Sequence, residues 1–456
     1  MTRAQFSMIF LVALAVRLIH FVWLQHDGTT FLTEDAEYYW GLGEAIVAHG
    51  GDYMHSAASD TFPESERMPL YPYLLAAVMA LGGGLGAALC VNAILDSITC
   101  VVIAALAARW SMRSGIAAGI IAALSPSLII HASMILTETI FLLPLSLALL
   151  GCVAYLADPS PRPASWTGLA LGVATLARAV TLPMVFVLAA VAPVIALVRK
   201  RSLKIAAMSS CAIAVFAMLV ISPVSIRNTI VFGSPALNSQ SGAHLTLWVL
   251  PLLLQQETGR PFSEITPEIN REIDAAIAKS GQDPDEMDLM VRSRILETVG
   301  WSMLKDISLK TWILSIGKTS IVNLGAPMMV LHPSIRKLSN ASFYNTPGSG
   351  LVDRATRFLS HADPRFTSAL IISGVGSIVM SILSLAGLIV LFRSQPWAAV
   401  FAILYILYFS LLNGPVLSPK YRLPMEPVLI ALAAVAIDSL LSRASKIRHI
   451  KNVNKK

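Results

Sequence analysis

Apolar stretches near the length of a bilayer crossing recur along the chain, separated by short polar turns and by two long polar segments. About 20 apolar residues span the hydrocarbon core. The pattern therefore predicts an all-α polytopic membrane protein with about ten transmembrane helices. Crossings are expected over 6–24, 86–108, 115–131, 139–157, the broken pair 166–178 and 180–198, 205–222, 369–392, 397–412 and 424–441. Run 69–83 is short for a crossing and reads as a short or re-entrant element. Run 307–325 is amphipathic, interrupted by Lys310 and Lys318 and preceded by Lys305, and reads as an interfacial helix. Within the polar segment 223–306, residues 267–279 read as a soluble helix. Strand-length alternation is absent, which argues against an outer-membrane barrel.

Composition agrees. Charged residues are 13% of 456 and apolar residues 55%, whereas soluble domains carry roughly 25% charged residues. That excludes a disordered chain and an ordinary soluble enzyme. The net charge of +7 is best read by position. The basic runs 199–204 and 442–456 carry no interleaved aromatics, so they point to anionic lipid on the cytoplasmic side rather than to nucleic acid. Cys90, Cys100, Cys152 and Cys211 all lie in apolar stretches and form no CxxC pair. The first run lacks a small-residue cleavage site and reads as a retained span. Three regions follow: a membrane module over 1–245 with its first outer loop at 25–68, an extracytoplasmic loop region over 246–368, and C-terminal helices with a basic tail over 369–456.

With both termini cytoplasmic, the ionisable groups at the membrane edge gather on the outer side. Such groups are costly there and are functional candidates by default. Thr33 is placed to cap a helix beginning at Glu34 and Asp35, with Asp35, Tyr38, Tyr39 and Leu42 on one face. An acid beside aromatics suits a hydroxyl substrate, as a general base; an ordinary cap with solvated acids reads the same way. Arg67 sits at a helix start fixed by Pro69 and Pro72, as a phosphate contact or an interfacial anchor. His131 and Glu138 are seven residues apart, either a polar turn, a cavity lining or part of a metal site. Arg178 and Pro183 break an apolar run, as helices do where they line a cavity. Arg227 follows an outer span end within a Ser-, Asn- and Gly-rich stretch. Lys420, Tyr421 and Arg422 lie beside Glu426 between the last two spans, suited to a lipid-linked phosphate or to anchoring. The chain has no GxxxxGK[ST], HExxH or GxSxG motif, which disfavours an ATP-driven pump, a zincin and an elbow hydrolase.

In order, Glu34-Asp35 with Tyr38 and Tyr39, Arg67-x-Pro69-Leu70-Tyr71-Pro72, Ser125-Pro126 with Thr137-Glu138, the turn at Arg178, Arg227-Asn228 with Phe232-Gly233, and Tyr421-Arg422 to Pro427 form a series. The series resembles the GT-C glycosyltransferases that use polyprenyl-phosphate sugars, nearest to the protein O-mannosyltransferase and lipid A aminoarabinose transferase group. It departs at Met68, where Pro is expected, and is weak across 250–395. The resemblance implies a GT-C bundle with its active site on extracytoplasmic loops of a bacterial inner membrane. It implies inverting transfer from a polyprenyl-phosphate sugar to a lipid, glycan or protein acceptor in envelope synthesis. Asp35 takes the base position, with Glu34 and Glu138 as secondary acids near the acceptor or a divalent cation, the one cofactor left open. Arg67, Arg178, Lys420 and Arg422 are the phosphate-holding candidates. The rival readings are a flippase of lipid-linked glycan and a non-catalytic assembly partner.

Overall fold

The computed structural model describes residues 1–28, 31–32, 34–57, 60–284, 287–338, 346 and 351–453. The chain starts with α1 (Arg3–His26), then α2 (Glu34–Ala48) and a hairpin of β1 (Met54–Ala57) and β2 (Asp60–Pro63), with His55 opposite Phe62. Next come α3 (Leu70–Ala80), α4 (Leu85–Ala107), α5 (Met112–Leu124), α6 (Pro126–Ala132), α7 (Glu138–Ala157), α8 (Pro161–Ala177), α9 (Leu182–Val198) and α10 (Leu203–Phe232). The next stretch carries α11 (Gln240–Ala243), α12 (Leu250–Thr258), α13 (Phe262–Ser280) and α14 (Leu289–Leu304). It continues with α15 (Leu309–Leu324), α16 (Pro333–Arg336) and α17 (Leu351–His361). The described chain closes with α18 (Pro364–Ser394), α19 (Pro396–Asn413), a 3-10 segment at Pro419–Met425 and α20 (Glu426–Val453).

Among the described residues eight helical stretches are long and apolar enough to cross a membrane, at α1, α4, α7, α9, α10, α18, α19 and α20. The α5–α6 pair, bent by 50°, makes a ninth. The expected tenth is α8, whose 17 residues rise about 25 Å and pack between α7 and α10. Its shortness is set by Arg178, which leaves the helix in an extended conformation at φ −151° before a 3-10 turn leads into α9. The run at 69–83 contains only the 11-residue α3, which starts directly after Pro69 and lies against α2. The hairpin departs from the all-helical expectation.

Helices in lipid gain little from apolar burial and rely on close backbone approach. Ala164, Gly168 and Gly172 repeat every fourth residue on α8. A Cβ on Gly168 would run into the Ile213 carbonyl of α10, and one on Gly387 of α18 into the Leu432 carbonyl of α20. Large apolar residues such as Ile371, Ile372, Val375 and Val379 stay exposed on α18, where lipid is the solvent.

Outside the bundle a second core forms by the opposite rule. Ile265, Ile269, Ile273 and Ile277 line one face of α13 and bury against Leu250 and Leu253 of α12 and Leu296 and Val299 of α14. This is the soluble helix expected at 267–279, longer at both ends. The helix expected over 307–325 forms as α15, whose polar stripe of Thr311, Ser315, Thr319 and Asn323 faces the protein while Ile313, Leu314, Ile321 and Val322 face out.

Within the bundle, Arg17 of α1 is fully buried beside Asp96 of α4. Its Nε donates to the Asp96 carboxylate, Nη1 to the carbonyls of Ala13 (3.1 Å) and Ala123 (2.8 Å), and Nη2 to Ala122 O (3.3 Å) and Cys100 Sγ (3.2 Å). Pro126 has no N–H, so it cannot serve the Ala122 carbonyl as a continuing helix would. Arg17 supplies a donor at that break.

Candidate active site

The segment between α2 and α3 folds around a residue the motifs do not single out. Glu64 is buried. Its Oε1 accepts from the Arg67 backbone N–H at 2.9 Å and its Oε2 from the Tyr38 hydroxyl at 2.9 Å. Tyr53 donates to the Arg67 carbonyl at 2.9 Å. The only sequence signal for Glu64 was an acid between Pro63 and the R-x-P-L-Y-P segment. Arg67 is thereby aimed at α2. Its Nη2 lies 3.0 Å from Asp35 Oδ1, and its guanidinium sits over the rings of Tyr38 (5.1 Å) and Tyr39 (5.5 Å). Its Nε is buried with no hydrogen-bond partner. Asp35 is exposed. Thr33 lies outside the described residues, as does the side chain of Glu34.

Glu138 opens α7 and is almost wholly buried. Its Oε1 accepts from Arg178 Nη1 at 3.0 Å and lies 4.0 Å from Lys420 Nζ. Its Oε2 is buried without a partner. Arg178 also sits over the Phe141 ring at 5.6 Å. Tyr39 joins the two groups. Its ring meets Tyr71 edge-on at 5.7 Å, and Tyr71 accepts from Asn92 Nδ2 at 3.1 Å. Burial pushes the Tyr39 hydroxyl up to about 12, while Arg67, Asp35, Glu138 and Arg178 all lie near enough to act on it. Tyr39 is therefore neutral at working pH, a hydrogen-bonding wall between one carboxylate–guanidinium pair and another. Burial, then Glu64 and Glu66, likewise hold the Tyr38 hydroxyl well above its ordinary value.

Two of the expected contacts are placed differently. Arg422 is fully buried and donates to Glu426 Oε1 at 2.8 Å, Ser377 O at 3.0 Å and Leu324 O. It ties α15, α18 and α20 together, with Nε and Nη1 engaged inside the protein. Arg227 donates to Tyr53 O at 2.8 Å, to Asn228 Oδ1 at 2.9 Å and to Glu64 O, packed over Tyr53 and Phe232. It fastens the end of α10 to the Glu64 loop and so steadies Arg67 from behind. Tyr421 packs at the edge of the second core. His131 turns its Nδ1 to Ser127 O at 2.7 Å. No group of three or more His, Cys, Asp or Glu side chains that could hold a metal occurs among the described residues.

Residues 66–226 match the model of the family described as dolichyl-phosphate-mannose-protein mannosyltransferase. The oligosaccharyltransferase of Archaeoglobus fulgidus in its apo form has a similar structure, with a TM-score of 0.53 and 12% identity over 99% of this chain and 52% of that one. The chain thus spans about half the length of that protein. ArnT from Cupriavidus metallidurans bound to undecaprenyl phosphate is similar at a TM-score of 0.39 and 17% identity, over 96% of this chain and 79% of that one. No curated protein matches the chain. The bundle and its counterpart in the oligosaccharyltransferase define an integral membrane protein of the GT-C fold.

Proposed function

We propose that the protein is a membrane glycosyltransferase. It transfers a hexose or pentose, with inversion, from a polyprenyl-phosphate donor to an extracytoplasmic acceptor. The reading rests on one observation: three cations, Arg67, Arg178 and Lys420, converge with Asp35 and Glu138 from segments far apart in sequence. The family matched by residues 66–226 is described by a lipid-phosphate sugar of this kind. The working side faces the outside, the periplasm if the membrane is a bacterial inner membrane.

In the resting site Asp35 and Arg67 hold each other. A donor phosphate competes for Arg67, whose Nε is already free of protein partners, and releases Asp35. The acid then accepts the proton of the acceptor hydroxyl as its oxygen attacks the anomeric carbon. The carbon–oxygen bond to phosphate breaks on the opposite face, and charge develops on the departing lipid phosphate. Arg67, Arg178 and Lys420 stabilise that charge in a partly dry site. Glu138 keeps Arg178 and Lys420 oriented before the donor arrives. Tyr38 and Tyr39 border the sugar.

The test is transfer in liposomes supplied with a panel of polyprenyl-phosphate sugars and an acceptor extract, read as free lipid phosphate. Asp35→Asn is expected to lower turnover by about 10²–10⁴-fold while donor binding persists. Release that ignores Asp35, or lipid that crosses the bilayer with its sugar still attached, overturns the proposal; the latter outcome is that of a flippase.

A further inference from the structure

At the far end of α4 from the candidate site, the bundle leaves a space that packing does not fill. Asn92, in the first turns of α4, bonds to Tyr71 and belongs to the outer half. Ala107 ends the helix on the other side, next to Arg109, Trp110 and Arg113. There a narrow cleft of about 70 Å³ lies between α4, α7, α18, α19 and α20. Its walls are apolar, including Leu106, Leu149, Val153, Ala402 and Leu432, and its polar lining is confined to Arg109, Trp110 and Gln395.

The chemistry of the two ends differs. Water entering the apolar part finds no hydrogen-bond partners, so the space suits hydrocarbon. At the mouth, Arg109 is exposed and forms no ion pair among the described residues. The neighbouring acid, Asp438, is engaged by the hydroxyls of Ser111 (2.5 Å), Ser114 (3.2 Å) and Ser442 (3.5 Å). An arginine at this depth attracts lipid phosphate, and a tryptophan at the same level sits where indoles favour the headgroup boundary. A membrane helix is about 10 Å across, and two turns of one need more room than the cleft holds. The donor phosphate belongs at the opposite membrane face, about 34 Å away along the 23 residues of α4.

The geometry points to a binding site for one anionic glycerophospholipid on the basic side of the bundle, with an acyl chain in the cleft and its phosphate on Arg109. The lipid wedges α7 and α19, which touch only lightly. The site is separate from the transferase reading, which enters only in assigning the donor to the other face.

The test uses the full chain in detergent. Native mass spectrometry follows retention of phosphatidylglycerol against phosphatidylcholine with the same acyl chains. Wild type is expected to keep one phosphatidylglycerol with about fivefold preference. Arg109→Gln removes the preference, and Ala402→Trp, which fills the cleft, removes retention. In nanodiscs, phosphatidylglycerol brominated on its acyl chains is expected to quench wild-type fluorescence more than that of Trp110→Phe, a readout that does not depend on Ala402→Trp folding. Equal retention of the two lipids by wild type, unchanged preference in Arg109→Gln, or quenching identical in Trp110→Phe overturns the site. Preferential displacement by polyprenyl phosphate, or loss of a dimer in Ala402→Trp, overturns it too, assigning the cleft to the donor or to a second copy.

Discussion

Two kinds of charge pair occupy this protein, and they are finished differently. Inside the bundle, Arg17 spends its donors on Asp96, two helix-end carbonyls, the Ala13 carbonyl and a thiol. Arg422 spends Nε and Nη1 in a similar way, on Glu426 and the carbonyls of Leu324 and Ser377. At the candidate site, Arg67 and Glu138 each keep a buried polar atom with no partner. An unpaired buried polar group costs free energy that packing alone does not return. A saturated guanidinium holds helices together, and an unsaturated one marks where a ligand is expected. In this chain the filled pairs coincide with helix contacts and the unfilled ones with the proposed donor site.

The sharpest way to break that division is Arg17→Ala. It leaves Asp96 buried and alone, and a loss of about 3–5 kcal/mol is expected, seen as a lower melting temperature in detergent. Replacing both members, Arg17→Met with Asp96→Leu, should restore much of it. A single variant that melts like wild type but fails to transfer sugar would place Arg17 with the working groups.

Glu138→Gln comes next. It keeps the shape but loses the charge that orients Arg178 and Lys420. Turnover should fall by about a hundredfold, in the range assigned to lost acid–base and orienting groups, with little change in melting. The third contrast sets Lys420→Ala against Arg422→Ala. Removing Lys420 deletes a charge-assisted contact and should raise the donor KM about tenfold with an unchanged melting temperature. Removing Arg422 should lower the melting temperature and leave the KM of the surviving folded protein alone. A KM effect from Arg422 would return it to the substrate set.

The smallest effect is a titration. His332 Nε2 meets His20 Nε2 at 3.0 Å, and its Nδ1 accepts from the Ser334 N–H at 3.2 Å, so its proton lies on Nε2 and is donated to His20. His20 passes the chain on through Nδ1 to Ser133 at 2.8 Å. Burial lowers His332 below its ordinary value, against a smaller upward pull from Asp27. The released segment therefore binds a proton more readily than the docked one. The contact is complete above pH of about 6.5 and weakens as pH falls below it. Hydrogen exchange across 326–338 should rise on acidification, and His332→Gln should flatten the profile.

Much of this was legible along the chain. Span lengths, the helix start after Pro69, the break at Arg178 and the soluble helix α13 follow from apolar period and from proline, because these act within a few residues of themselves. The nearness of Asp35 to Arg67 was expected only through the motif order. Glu64 was missed because its importance lies in whom it bonds, Tyr38 and the Arg67 backbone, and neither contact leaves a pattern in the sequence. Arg17 and Asp96 carried a signal that went unused, a charge in the middle of each of two apolar runs.

The sequence by itself determined that the chain enters a membrane, roughly where it crosses and which residues carry charge near the outer edge, since these depend on composition over one or two helical turns. Only the tertiary structure decided which charges are spent. Arg422 and Lys420 are two residues apart and read alike, yet the first is turned into the α15–α18–α20 contact and the second toward Glu138. The direction of a side chain depends on the helices packed around it, and those helices come from residues tens to hundreds of positions away.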